Sequence, residues 1–315
     1  MLTRHAARGI AGGALLLAVL GGCATPLQSE RLIATAFPEP VELTAVPFFA
    51  QDDYQCGPAA LATALRWVDV PVTPGELTPQ VYLPARRGSL QLEMLATARR
   101  HAAIPYVLRP QLDDLLAEVA AGNPVIVLQN LGLSWYPKWH YAVVVGFDVA
   151  RDELMLRSGL EQRHVVPFAV FERTWRRGDY WSMVVLPPGR LPRTAEEIAY
   201  VQAVAALERL QRWRETSKAY AAALERWPQS LTARLGLGNS RYALRDLAGA
   251  EQTYRAAIAA HPDAADAFNN LAQTLAEQRH WVEAQAMAQR AVALGGARLT
   301  IYQSTLADIV GRRVN

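Results

Sequence analysis

The chain has 315 residues, of which 51% are hydrophobic and 19% are charged, which is enough apolar material for the cores of one or two domains. Its formal net charge of +3 is too small to indicate nucleic-acid binding. The six histidines show no metal-ligand spacing and no phosphate-binding glycine loop occurs, so we expect no metal and no other cofactor.

The N-terminal segment has the pattern of a targeting signal. Basic residues within the first eight positions precede an apolar run over residues 10–20, which is too short to span a membrane. Leu20-Gly21-Gly22-Cys23 follows and resembles the lipobox of bacterial lipoproteins, where signal peptidase cuts before a cysteine that receives lipid. The alternative is an ordinary secretory signal with a chance cysteine.

The lipobox resemblance implies a signal peptide over residues 1–22, lipidation at Cys23 and a lipidated tether over residues 23–40. No Asp follows Cys23, which implies an outer-membrane anchor facing the periplasm. Cys56 is the only other cysteine, and a lone thiol in an oxidising compartment is a liability unless it is buried or used.

The stretch from Gln51 to Trp67 predicts a cysteine at the start of a helix. A strand is expected before it at Val41–Phe49, and Gly-Pro after Cys56 suits a turn that opens a helix. A helix N-terminus stabilises a thiolate, and the Gln51 amide lies near enough in sequence to reach an oxyanion. The alternative is a small buried hydrophobic cysteine.

The elements that follow indicate helices first and an antiparallel sheet afterwards, which is an α+β pattern. Val70–Pro84 is predicted to be irregular. We predict helices from a cap at Ser89 to about His101 and at Leu112–Ala121, and strands at Tyr106–Leu108, Val125–Leu128, from His140, at Glu153–Arg157 and at Trp181–Leu186.

His140 opens the β-branched strand of a predicted hairpin. With a turn at Asp148–Asp152, His140 faces the region of Ser158 to Leu160. If the first helix packs on the strand start, Cys56 and His140 form a thiolate–imidazolium pair, and His140 later protonates the leaving amine. The alternative is a strand-end histidine bonded to backbone.

Beyond Pro187-Pro188-Gly189 the chain repeats with a period of 34. Tyr200, Arg234 and Phe268 are in phase, as are the small residues Ala223, Ala257 and Ala291. This pattern resembles the tetratricopeptide repeat over about residues 197–298, with a capping helix after it. We therefore expect a domain at 41–190 and an all-α repeat solenoid at 193–315 that binds a protein partner.

Gln51, Cys56-Gly57-Pro58-Ala59-Ala60 and His140-Tyr141-Ala142-Val143-Val144-Val145-Gly146 together resemble the double-glycine leader peptidases, which are papain-like cysteine peptidases. The resemblance covers about residues 43–188. It implies an α+β papain-like fold, hydrolysis of a peptide or amide bond, and catalysis by Cys56 and His140 with Gln51 at the oxyanion.

The chain departs from that family at one position. There, the strand after the histidine ends in an Asp-Pro that orients the imidazole, whereas this chain has Leu156-Arg157-Ser158-Gly159. Ser158 is a weaker candidate orienter and Glu161 a substitute. The aromatic residues Trp135, Tyr136 and Trp139 either line a substrate groove or pack onto the core.

Three functions follow. The leading one is a lipid-anchored envelope cysteine peptidase with a peptide or protein substrate, whose repeats bind a protein. The second is a weakly active or inactive peptidase-like scaffold whose repeats bind partners in an envelope or secretion assembly. The third is acyl transfer to another amine or thiol through the same acyl-enzyme.

Overall fold

The computed structural model describes residues 26–32, 36–50, 55–86 and 88–314. Up to residue 186 the described chain contains helices and strands, with three α-helices before residue 101 and four strands in direct succession over residues 125–166, and the rest is helical. This order confirms the predicted α+β domain followed by an all-α solenoid. Among the described residues, no helix has both the length and the apolar character needed to cross a membrane.

The first region combines short helices with one large sheet. Its strands are β1 (Val41–Glu42), β2 (Tyr82–Leu83), β3 (Gly88–Ser89), β4 (Ile104–Val107), β5 (Val125–Asn130), β6 (Trp139–Asp148), β7 (Glu153–Ser158), β8 (Glu161–Val166) and β9 (Ser182–Leu186). Its helices are α1 (Cys56–Trp67), α2 (Pro74–Val81), α3 (Gln91–Arg100), α4 (Leu112–Ala120) and α5 (Phe168–Arg176).

The sheet is antiparallel throughout and is built around β6. The strand order is β4-β9-β5-β6-β7-β8, and β1 also pairs with β6. β5 pairs with the first half of β6, and β1 pairs with Gly146 and Phe147. β7 pairs with the opposite edge of β6 through the predicted hairpin. β2 and β3 form a separate small ribbon.

Both faces of the central strands β9, β5 and β6 are buried, and their side chains alternate between two cores, whereas the edge strand β8 is mostly exposed. In β5, Val125 and Val127 belong to one core, while Ile126 and Leu128 belong to the other, as the two-residue period of a strand requires. Residues of α1, α2 and α3 fill the second core, and residues of α4 to α7 fill the first. The sheet therefore lies between two helical layers.

A β-bulge changes the alternation in β6. The register with β7 shifts between Val144 and Gly146, so the odd-numbered residues Val145 and Phe147 enter opposite cores. Gly146 is required here because a Cβ on it would lie 2.5 Å from the backbone oxygen of Val41. The bulge thus lets β1 approach β6 closely.

The predicted strand Val41–Phe49 was too long. Only Val41–Glu42 is assigned to the sheet, because the chain turns directly afterwards, where the N–H of Val46 donates to the C=O of Leu43. This turn ends the pairing with β6.

The stretch Val70–Pro84 was wrongly predicted to be irregular, since it contains α2. The Thr73 hydroxyl accepts from the N–H of Glu76, and the Glu76 carboxylate accepts from the N–H of Thr73. This reciprocal capping box starts the helix, and Pro74 occupies the first helical position, where the missing N–H removes no hydrogen bond.

The predicted tether, residues 23–40, includes a segment that is docked on the first region. Leu27 is buried, and the backbone N–H groups of Gln28 and Ser29 donate to the buried Glu172 carboxylate at 2.6 and 2.7 Å. The Gln28 side chain also accepts from the N–H of Leu112. A buried carboxylate needs such donors, so Glu172 fixes the segment in place.

The second region is a stack of helical pairs with the predicted period. Successive pairs begin at residues 197, 231 and 265, and a further helix begins at 299. Close helix approach depends on small residues: a Cβ on Gly236 would lie 2.4 Å from the Tyr220 ring. The helices are α6 (Glu197–Glu208), α7 (Trp213–Arg226), α8 (Leu231–Ala243), α9 (Leu247–Ala260), α10 (Ala265–Glu277), α11 (Trp281–Leu294) and the capping helix α12 (Leu299–Val314).

The two regions share a continuous hydrophobic core. Tyr200 and Val204 of α6 pack in the same cluster as Ile104 of β4. The connection is also held by polar contacts, because the buried Glu118 carboxylate accepts from the N–H and the hydroxyl of Thr194, both at 2.7 Å. The first repeat is therefore fixed against the sheet.

Arg157 ties β7 to the segment that leads toward Cys56. It is 3% exposed, and its guanidinium donates to the backbone oxygens of Thr44, Val46 and Gln162. A guanidinium can serve several acceptors at once because its donors form a planar fork.

We expect Arg157→Leu to lower the free energy of unfolding by about 3 kcal/mol, since it leaves buried carbonyl groups without donors. Chemical denaturation of the variant would measure the loss. Arg151→Leu, which removes an exposed arginine from the β6–β7 turn, is the matched control and should change stability by less than about 0.5 kcal/mol. Equal losses in both variants would contradict the role assigned to Arg157.

Candidate active site

Cys56 begins α1, as predicted, and the helix it opens is almost wholly buried. Residues 57–65 are all buried, and Cys56 itself is half-buried. Gly57 is needed for this packing because a Cβ on it would lie 2.3 Å from the Oγ of Ser89. Ser89 itself was expected to cap α3, but it pairs in β3, and α3 starts after Leu90 without a side-chain cap.

The Cys56 thiol lies against the backbone at the start of β6. The backbone N–H of Tyr141, the residue after His140, lies on the side of Cys56 where it lowers the pKa of the thiol. Burial raises the pKa of the Cys56 thiol, and the backbone N–H groups of Tyr141, Gly57 and Cys56 lower it by less. Cys56 is therefore a neutral thiol at neutral pH in the resting protein.

His140 is the second residue of β6, and its imidazole is held by Ser158. Nε2 of His140 lies 2.8 Å from the Oγ of Ser158 at the end of β7. Burial lowers the pKa of His140 to about 4, with smaller contributions from the charges of Lys138 and His164. The imidazole is therefore neutral at neutral pH, and Nδ1 is the ring nitrogen left for proton exchange.

The structure brings Cys56 next to the backbone of β6 but does not join the two side chains in the resting state. The hydrogen bonds of the described residues include none between Cys56 and His140. The raised thiol pKa and the lowered imidazole pKa favour neutral groups at rest, and the thiolate–imidazolium pair stays a prediction. Both neutral groups are available in the forms required for general-base catalysis.

The carboxylates near the predicted hairpin are engaged elsewhere. Glu161 bonds Nδ1 of His164 at 3.0 Å. Asp148 accepts from the N–H of Arg151, and Asp152 accepts from the N–H of Phe168. Ser158 is thus the side chain that contacts His140 at the position where the resembled family has Asp, although a catalytic role for Ser158 remains a prediction.

Two predicted residues lie outside the described ranges. They are Gln51, expected to donate to an oxyanion, and Cys23, expected to carry lipid. The described group that can serve an oxyanion is the backbone N–H of Cys56 at the start of α1. Among the described residues, no cluster of three or more His, Cys, Asp or Glu side chains is arranged to hold a metal ion.

The aromatic residues beside His140 are exposed: Trp135 and Tyr136 lie in the loop between β5 and β6, and Trp139 is the first residue of β6. The Oδ1 of Asn130 accepts from the N–H groups of Gly132 and Lys138, both at 2.9 Å, and fixes the base of the loop. Trp135 is 80% exposed and Trp139 is 53% exposed. They are therefore available to a substrate and do not pack into the core, while their binding role remains a prediction.

Sequence reasoning missed Tyr141 as a part of the site. Its N–H contacts Cys56, its hydroxyl donates to the backbone oxygen of Ser89 at 3.3 Å, and its ring stacks edge-on against Trp181. Burial, followed by the neighbouring Cys56, raises the pKa of the Tyr141 hydroxyl. The sequence signal was its place directly after His140, where strand alternation turns its side chain toward α1.

Comparison with family models identifies both regions. Residues 43–182 match the Peptidase C39-like family, and residues 200–265 and 235–298 match the tetratricopeptide repeat. No curated protein matches the chain.

Several solved structures have similar folds. A Bacillus anthracis protein described as a candidate C39-like peptidase is 19% identical, with a TM-score of 0.40, and the match covers 47% of this chain and 98% of that one. The type III secretion translocator chaperone SycD of Yersinia enterocolitica is 16% identical (TM-score 0.35, 37% and 84% covered). The TPR2B domain of yeast Sti1 in a pHsp70 complex is 14% identical (TM-score 0.36, 38% and 100% covered).

The raised pKa of Cys56 predicts that only a small fraction of the thiol is ionised at neutral pH. In the Cys23→Ser chain, whose one remaining cysteine is Cys56, we expect the thiolate absorbance at 240 nm to titrate above the ordinary thiol range, because burial disfavours the charged form. A midpoint below pH 7 that is lost in His140→Ala would instead demonstrate a resting ion pair.

Proposed function

We propose that this chain, which joins a peptidase C39-like domain at residues 43–182 to tetratricopeptide repeats at residues 200–298, is a lipid-anchored cysteine peptidase of the bacterial envelope. The observation that carries the proposal is the 2.8 Å contact between His140 and Ser158 on the strands against which the helix of the half-buried Cys56 packs. In this proposal Cys56 of α1 is the nucleophile, His140 of β6 is the base and Ser158 of β7 orients the base.

The chemistry begins from neutral groups. Nδ1 of His140 takes the proton of the Cys56 thiol as the sulfur attacks the carbonyl carbon of the substrate. The carbonyl oxygen becomes an oxyanion, which the N–H of Cys56 and the amide of Gln51 stabilise. The imidazolium then gives its proton to the leaving amine, and an acyl-enzyme remains.

The second half of the reaction regenerates the thiol. Neutral His140 removes a proton from water, the hydroxide attacks the thioester carbonyl, and the imidazolium returns a proton to the departing sulfur of Cys56. Ser158 accepts the Nε2 hydrogen in both halves and keeps Nδ1 directed at the reacting atoms. A hydroxyl orients the ring without the charge that a carboxylate would add.

The proposed envelope location rests on the lipobox resemblance. The segment at residues 26–32 is docked on the first region, so only a short stretch of chain would join the lipid at Cys23 to the folded domain. The buried Leu27 follows Cys23 by four positions, which gives a reach of at most about 14 Å. The peptidase-like domain would therefore lie against the membrane, while the repeats recruit a protein substrate or partner.

A weakly active or inactive scaffold is the second candidate. The observation that favours it is the lack, among the described residues, of both a hydrogen bond between Cys56 and His140 and a carboxylate on His140. In that case the repeats carry the function by binding a protein partner.

Cys56→Ser should abolish hydrolysis and leave the fold intact, since only the nucleophile changes. Cleavage of an internally quenched peptide library would be followed by mass spectrometry, with circular dichroism as the folding check. Equal cleavage by the variant would rule out Cys56 as the nucleophile. No cleavage by the unmodified chain over the whole library would favour the scaffold.

The acid limb of kcat/KM should lie near pH 4, because His140 acts as a base only when it is neutral and its pKa is about 4. Activity rises as the pH increases through this value. Ser158→Asp places a negative charge beside the imidazole, which raises the pKa of His140 and should move the limb to higher pH.

Ser158→Ala is the matched control for this substitution. It should lower kcat about tenfold, the loss that corresponds to about 1.4 kcal/mol for an orienting hydrogen bond. If the acid limb of the kcat/KM profile stayed near pH 4 in Ser158→Asp, His140 would not be the titrating base.

A further inference from the structure

A cleft lies where the first region meets the first repeat, and it is separate from the candidate active site. Its volume is about 660 Å³, within the range of small-ligand and peptide pockets. We refer to it as the junction cleft. Its apolar wall comes from the end of α1, the linker after β9 and the end of α8, through Val68, Val70, Pro187, Pro188 and Leu244.

The polar side of the junction cleft is mainly basic. Arg214 and Lys218 of α7 line it and are exposed, and His101 lines it at the end of α3. Glu215 is the carboxylate in the lining. With a neutral histidine, the lining therefore has a net charge of +1.

Further cations lie around the cleft, and the nearby carboxylates are Glu76 beside His101 and the exposed Asp69 between Val68 and Val70. Arg100 and Arg212 lie close enough to lower the pKa of His101, after burial, and Glu76 opposes them weakly. Arg209 likewise acts on Arg99, whose Nε is buried without a hydrogen-bond partner. The guanidinium of Arg212 also donates to the backbone oxygen of Arg100, which keeps these two basic residues close together.

We propose that the junction cleft binds an extended peptide segment in which carboxylates alternate with apolar side chains. The apolar side chains contact the Val68, Val70 and Pro187 wall, and the carboxylates pair with Arg214 and Lys218. Such pairing relieves the repulsion among the basic side chains, because opposite charges at close range favour the ionised forms of both.

This site acts independently of the chemistry at Cys56. α1 is 12 residues long, so the cleft end of the helix lies about 18 Å from the cysteine. An acidic segment bound there can belong to a substrate or to a partner, and binding does not require cleavage.

The test measures binding of a defined probe to the full chain carrying Cys56→Ser. The probe is a fluorescent heptapeptide that alternates leucine and glutamate, and the control peptide alternates leucine and glutamine. We expect saturable binding of the first peptide that weakens with added salt, and at least about tenfold weaker binding of the second.

Two kinds of variant locate the site. Arg214→Glu combined with Lys218→Glu reverses the charge, and Ser217→Trp fills the cleft. Each should weaken binding of the acidic peptide by about tenfold or more, with folding checked by circular dichroism. Arg173→Glu, which changes an exposed arginine of α5 away from the cleft, is the matched control and should leave binding unchanged.

The proposal fails if the two peptides bind equally or if neither binds. It fails if both cleft variants bind like the unmodified chain, since the peptide would then occupy another surface. Tighter binding of inorganic tripolyphosphate than of the acidic peptide would also overturn it, because the cleft would then be a simple anion site. None of these outcomes bears on whether Cys56 is a nucleophile.

Discussion

The structure depends on the burial of β6 on both of its faces. One set of its side chains packs with α1, which carries Cys56, and the other set packs with α4 and with the core shared by the first repeat. The same strand holds His140 at its exposed start. A strand that is buried on two faces has little freedom to shift. Packing against β6 therefore fixes both the position of Cys56 and the position of the first repeat.

Burial also decides the protonation of the candidate active site. It raises the pKa of Cys56 and lowers that of His140, so both groups favour their neutral forms. An aspartate beside His140 would oppose this effect, whereas the hydroxyl of Ser158 satisfies Nε2 without adding charge. A hydroxyl in place of a carboxylate would thus change the starting state of the proposed reaction, while the contact with Nε2 still orients the ring.

Local signals were sufficient for the elements that carry the proposed chemistry. α1 has the predicted bounds, Cys56–Trp67, and the register of the hairpin brought His140 to Ser158. The 34-residue period was also evident in the sequence, since each repeat packs equivalent residues against its neighbour. The sequence did not reveal the roles of Arg157, Glu172 or the cations of the junction cleft, because their partners lie far away in the chain and only the folded topology brings them together.

The docking of residues 26–32 on Glu172 would link the proposed lipid anchor to the stability of the fold. The first described segment supplies donors to a carboxylate more than 140 positions later, so it can dock only after α5 has formed. If Cys23 carries lipid, proteolytic removal of this segment would release the domain from the proposed anchor and, at the same time, leave a buried charge without two of its donors. Release in that way would yield a weakened protein, and a soluble form that keeps its stability must be cut before Leu27.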